Sequence, residues 1–147
     1  MFLAACRGPL AKPKDSDKKE ENRMDSSKST VSPHMETPKV AREDIKIDPV
    51  QGGITIAALF SEKSKYDGKT VMIRGKVTKV NPSIMGKNWI HLQDGTEFEG
   101  LFDLTITSDF VPAIGTTITV EGKIALNRDF GYGYTYQVLM EEGKLVR

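Results

Sequence analysis

The chain has 147 residues, the length of one domain with little to spare. Lys plus Arg number 21 and Asp plus Glu 20, and a net charge of +1 excludes a strongly basic coater of nucleic acid. One Cys and two His leave too few ligands for a zinc cluster, an iron–sulfur centre or a disulfide, and no apolar run approaches the roughly 18 residues of a membrane span.

Hydrophobic residues make up 38% of the chain, a deficit that points to a part without a core of its own. The chain begins Met1-Phe-Leu-Ala-Ala-Cys6, and Leu3-Ala4-Ala5-Cys6 resembles the bacterial lipobox, a Leu and two small residues before a Cys. A Cys in that setting is alkylated by diacylglycerol after the preceding bond is cut. Residues 1–6 are therefore read as the remnant of a signal peptide, with Cys6 as the lipidation site. Only five residues precede Cys6, fewer than an apolar leader of 7–15 residues needs, so this reading expects a leader upstream of Met1. The other reading is an inert or buried thiol.

Residues 7–50 follow as an expected tether. Residues 1–50 carry 10 Lys/Arg, 9 Asp/Glu and five of the seven prolines. Between Ala11 and Val40 the apolar residues are sparse and keep no period, so the segment buries too little to offset its conformational entropy. An ordered arm lying on the domain is the alternative. Residues 51–147 hold 11 Lys/Arg and 11 Asp/Glu and are rich in Val, Ile, Thr, Tyr and Phe. They are expected to be the folded domain.

In that domain Thr55–Lys65 has apolar residues at 56, 59 and 60, a helical spacing, with Thr55 placed to cap it. Five strands are predicted after it, at 69–80, 88–93, 101–107, 116–126 and 134–140. In the first, Val71, Ile73 and Val77 face one way and Met72, Arg74, Lys76 and Thr78 the other. In the second, Ile90 and Leu92 oppose Trp89 and His91. Gly75 and Gly122 fall mid-strand, where a small barrel bends. One short helix and five short strands predict an all-β protein with a five-stranded OB-fold barrel, preceded by a short N-terminal helix and a disordered tail. An SH3-like barrel is the competing architecture.

Val71-Met-Ile-Arg-Gly-Lys-Val77, Met85-Gly-Lys-Asn-Trp-Ile-His-Leu-Gln-Asp-Gly95, Asp103-Leu-Thr-Ile-Thr107, Thr119-Val-Glu-Gly122 and Asp129-Phe-Gly-Tyr-Gly-Tyr134 resemble small exported bacterial OB-fold proteins. Some of these are linked by name to the periplasmic nitrite-reductase system. Others are classed as nucleic-acid-binding because of their fold. The resemblance spans about residues 51–147. It implies the fold, a location in the cell envelope facing the periplasm or exterior, and, by analogy alone, a ligand.

OB-folds bind along a sheet face bordered by the loops joining strands 1–2 and 4–5. Here those loops are read as 81–87 and 127–134. Phe130, Tyr132 and Tyr134 would offer aromatic faces, and Arg74, Lys76, Lys79, Lys87 and Arg128 charge for phosphates. Trp89 and His91 are either a binding platform or a structural layer with His91 satisfied by a carbonyl. Lys65–Lys87 holds six basic residues and one acid, whereas Asn88–Gly122 holds six acids and no Lys or Arg. The barrel either segregates these charges or interleaves them as cross-strand pairs. No nucleophile elbow, phosphate loop, haem or metal spacing is present, so no catalysis, cofactor or metal is expected. The expected partners are single-stranded nucleic acid or an oligosaccharide, with a protein of an envelope or respiratory complex as the alternative, and the membrane through Cys6.

Overall fold

The computed structural model describes residues 40–147; the expected lipobox, Cys6, His34 and the tether up to residue 39 lie outside the described residues. The predicted helix forms as α1 (Ile56–Ser61), followed by a single turn, α2 (Lys63–Tyr66). Ile56, Leu59 and Phe60 drop from one face of α1 into the core. Three side chains satisfy the first three amides of α1. Asp94 Oδ2 accepts from Ile56 N at 2.8 Å, Thr96 Oγ1 from Ala57 N at 2.9 Å and Thr55 Oγ1 from Ala58 N at 3.1 Å. Two of these three come from the turn after the second strand, so a six-residue helix too short to persist alone is tied to the sheet.

The strands are β1 (Thr70–Ile84), β2 (Lys87–Gln93), β3 (Leu104–Ser108), β4 (Thr117–Asp129) and β5 (Thr135–Leu145). They make one sheet in the order β1-β2-β3-β5-β4 that closes back on β1 as a barrel-like ring. All pairs are antiparallel except β3 with β5. β1 joins the two halves: residues 70–76 pair with β4, and from Lys76 onward it pairs with β2. Gly75 sits at that changeover. A Cβ there would lie 2.7 Å from Leu92 Cγ and 2.9 Å from the Gln93 carbonyl oxygen, so the strands approach where no side chain fits. Gly122 is placed in the same way against Met140 and the Glu141 carbonyl. Of the residues that the alternation predicts to face inward, Val71, Ile73, Val77, Ile90, Leu92, Leu104, Ile106, Val120 and Ile124 are buried together and Ile118 packs against them half-buried, whereas Phe102, also expected inward, falls before β3 and is only half-buried.

Several expected boundaries move. β1 does not stop at Val80 but continues to Ile84, and the expected 81–87 loop shrinks to the two-residue turn Met85-Gly86. Pro82 is tolerated because this half of β1 pairs on one side only, at a register shift between Asn81 and Ile84. β4 likewise runs on through Asp129, and β5 extends from Thr135 to Leu145. The start of the third strand moves from Leu101 to Leu104, because Phe98 and Leu101 close a separate tight turn on Glu99-Gly100, both at positive φ.

The expected tether also ends earlier than residue 50. Residues 40–50 lie against the sheet. Gln93, 1% exposed, accepts from Glu43 N with its Oε1 and donates from Nε2 to the Ala41 carbonyl, so its amide imitates a strand's peptide group. Ile47 N donates to the Asp94 carbonyl at 3.0 Å, Lys76 pairs with Glu43 at 2.6 Å, and Arg42 pairs with Glu97. Polar residues without periodicity can still be ordered when their backbone groups find partners on a folded surface.

Candidate functional site

The site is built on the outer face of β2 and the two hairpins that rise beside it. In the β1–β2 hairpin Met85 and Gly86 have φ of 51° and 73°, the signature of a type I′ turn, whose twist matches its strands. In the β4–β5 hairpin Tyr132 and Gly133 have φ of 55° and 83°, and Tyr134 N donates to the Gly131 carbonyl at 3.0 Å. Asp129 Oδ1 accepts from Gly131 N at 2.8 Å and fixes the entry to that turn. Ser83 and Asn127 are also left-handed.

A cavity of about 230 Å³ lies between the hairpins, lined by Lys79, Asn81, Ile84, Met85, Trp89, His91, Tyr134 and Tyr136. A second, of about 600 Å³, adjoins it at His91 and Tyr136 and runs along residues 100–105 and 135–138, with Val40 and Phe60 at its wall. Trp89 and His91 fall on one face of β2, as expected, but both are nearly covered, at 4% and 5% exposed. Trp89 stacks on Tyr136 with centroids 5.3 Å apart and meets the edge of Phe130 at 5.1 Å. Its Nε1 donates to the Ile84 carbonyl at 2.9 Å. Trp89 and Phe130 are thus the layer beneath the site, and Trp89 braces the base of the β1–β2 turn. The exposed aromatics are Tyr134 and, at the tip, Tyr132, 93% exposed.

His91 is satisfied by a carboxylate rather than a carbonyl: its Nδ1 lies 2.6 Å from Asp103 Oδ2. That contact makes Nδ1 the protonated nitrogen and leaves Nε2 as the ring's second hydrogen-bonding atom, an acceptor in the neutral ring. Gln93 Nε2 reaches Asp103 Oδ1 at a long 3.5 Å. Burial holds the Tyr136 phenol above its ordinary pKa, and the nearby Tyr134 adds to the effect.

The cations are not gathered at this site. Lys76 pairs with Glu43, Arg128 with Glu141 at 2.7 Å, and Lys87 with Asp109 at 2.7 Å, a bond that raises the Lys87 pKa. Arg74 is exposed on the half of β1 paired with β4, opposite Thr119. Of the five basic residues expected to line a ligand groove, Lys79 alone lines either cavity at His91. Among the described residues Lys87–Asp109 is the one ion pair that joins the basic run Lys65–Lys87 to the acidic run Asn88–Gly122, and five of the six acids of that run lie on connections between strands. Asn81 belongs to the expected 81–87 segment, whereas Asp103, Thr105, Tyr136 and Gln137 were not legible as site residues. Tyr136 follows the aromatic loop by two residues and carried the one usable signal; Asp103 meets His91 only through the β2–β3 pairing.

Among the described residues no group of three or more His, Cys, Asp or Glu is placed to hold a metal ion, and no helix is long and apolar enough to cross a membrane. No protein-family model and no curated protein matches the chain.

Proposed function

We propose that residues 40–147 form an OB-fold binding module without catalytic activity, which takes an extended, weakly charged ligand across β2 between the two hairpins. The ring order β1-β2-β3-β5-β4 and the bend of β1 between two partners support the OB reading. One observation carries the binding reading: two left-handed turns hold exposed Met85, Tyr132 and Tyr134 beside a cavity floored by an aromatic layer. Tyr faces stack on sugar rings, and Asn81, Lys79 and His91 offer donors and acceptors to hydroxyls. An oligosaccharide is favoured over nucleic acid because three of the five expected phosphate contacts are engaged by carboxylates. The module is tethered to the membrane of the cell envelope through a lipidated Cys6, with residues 7–39 as the spacer.

Trp89 is the only Trp and lines the cavity, so its fluorescence reports occupancy. Titration with a β-linked N-acetylglucosamine tetramer should saturate, and Tyr134→Ala should abolish the change. Single-stranded oligothymidylate at low and high salt is the competing ligand. Binding that weakens steeply with salt would transfer the site to nucleic acid. No response to either removes the proposal. Labelling cells with a clickable fatty acid tests the anchor: equal labelling of wild type and Cys6→Ala rejects it.

A further inference from the structure

His91 is nearly covered, yet its ring borders the cavity between the hairpins. The two ring nitrogens differ in what they meet. Nδ1 is taken by Asp103 Oδ2 at 2.6 Å. Nε2 has no hydrogen-bond partner among the described residues, and no buried polar side-chain atom among them lacks one, so Nε2 is reached from a cavity. The bonds of an imidazole's two nitrogens diverge across the ring, which turns Nε2 away from Asp103. Asp103 lines the larger cavity and not the one between the hairpins, so Nε2 opens on the latter. The pair is braced from behind. Gln93 Nε2 approaches Asp103 Oδ1 at 3.5 Å, and the arm holds the Gln93 amide through Ala41 and Glu43.

We propose that His91 determines the specificity of the site between the hairpins, with Asp103 as its positioning residue. The inference rests on the binding reading above and adds what the ligand must carry at this point: a hydroxyl or amide N–H that donates to Nε2. A carboxylate on Nδ1–H fixes the tautomer, so Nε2 of the neutral ring is an acceptor only. A carboxylate or phosphate oxygen placed there sets one lone pair against another. Acid reverses the preference, because a second proton lands on Nε2 and makes it a donor while Nδ1 keeps Asp103. The other titratable or charged groups around the ring are Lys79 from β1, Asp103 from the segment before β3, and Tyr134 and Tyr136 from β5. Among these side-chain types, imidazole is the one that ordinarily titrates between pH 5 and 8.

Two measurements on the full chain test this. Nitrogen-15 NMR of the ligand-free protein at about pH 8 should show His91 with Nδ1 protonated and Nε2 bare, both in wild type and in Tyr134→Ala. Asp103→Asn keeps the shape of the side chain but presents an amide N–H to Nδ1, so the proton should move to Nε2. Titration with the β-linked N-acetylglucosamine tetramer, read by Trp89 fluorescence, should give binding about tenfold or more weaker at pH 5 than at pH 8 in wild type, the scale of one ligand donor left unpaired. Asp103→Asn should show the weaker binding at both. A bare Nδ1 in wild type, an unchanged tautomer in Asp103→Asn, or an affinity indifferent to pH or to that variant would overturn this inference and leave the binding reading standing. No binding by any form at either pH removes both.

Discussion

Asp94 works as a junction of three segments. It is 2% exposed, yet its carboxylate is fully occupied: Oδ2 takes the first amide of α1, and Oδ1 takes the amide and hydroxyl of Thr96. Its carbonyl takes Ile47 N from the arm. Asp94→Ala removes the side-chain acceptor and leaves the buried Ile56 amide unpaired, so urea unfolding should show a loss of about 2–3 kcal/mol, the scale of a buried bond to a charged group. Tyr136 gives a prediction in pH. Its folded pKa is raised, so the unfolded chain loses this proton first as pH rises. Stability from this group is complete below the ordinary phenol pKa of about 10 and declines as pH climbs toward the folded value. Urea midpoints should fall across that window, and less steeply in Tyr136→Phe. Spectrophotometric titration should place the phenolate step missing from that variant above 10.0.

The arm and the hairpins show which elements a sequence reveals. The strand cores were legible because Val71, Ile73 and Val77 alternate with Met72, Arg74 and Lys76, and alternation records a sheet with one buried face. The arm was legible only as the alternative to a tether, because its order comes from the Gln93 side chain and the Asp94 carbonyl, about fifty residues away in sequence, which offer it hydrogen bonds. Its closest approach is at Gly95, where φ is +90° and a Cβ would stand 1.8 Å from the Ile45 carbonyl oxygen. Gly95→Ala should therefore lift residues 40–50 from the sheet, and limited trypsin digestion should cut at Arg42 and Lys46 much faster than in wild type. Equal cutting would mean the arm is held elsewhere. The hairpin turns were placed in the right regions but drawn too long, since nothing local in Asn81-Pro-Ser-Ile announces a strand. At Tyr132 a bulky residue holds a left-handed backbone with its side chain in solvent, a position where Asn is at ease. Tyr132→Asn should raise stability by up to about 1 kcal/mol in thermal or urea unfolding, while weakening ligand binding between the hairpins.

At the scale of the molecule, the ring depends on β1 serving two partners, and Gly75 is where it turns from one to the other. The sequence marked Gly75 as a bend from its place inside an alternating run, but the reason it must be Gly lies in strands that are distant along the chain. Leu92 and the Gln93 carbonyl press on the site from β2, and Ile118 stands opposite it on β4. A methyl group there has no flexible neighbour to displace on the carbonyl side, so β1 and β2 must separate at the changeover. Gln93 also carries the arm, and its neighbour Asp94 carries the first amide of α1. Strain at Gly75 therefore reaches the helix, the arm and both halves of the sheet together. Gly75→Ala should cost about 1–3 kcal/mol, the range for overpacking a tight interior. The loss should appear as one shifted transition, with Trp89 fluorescence and far-ultraviolet circular dichroism moving in step, because Trp89 in the β1–β2 half and β5 in the other are joined through β1 and the Trp89–Tyr136 stack. If the Trp89 signal were lost before the circular dichroism, the two halves would be separable units, and the closed ring would not be the unit that folds.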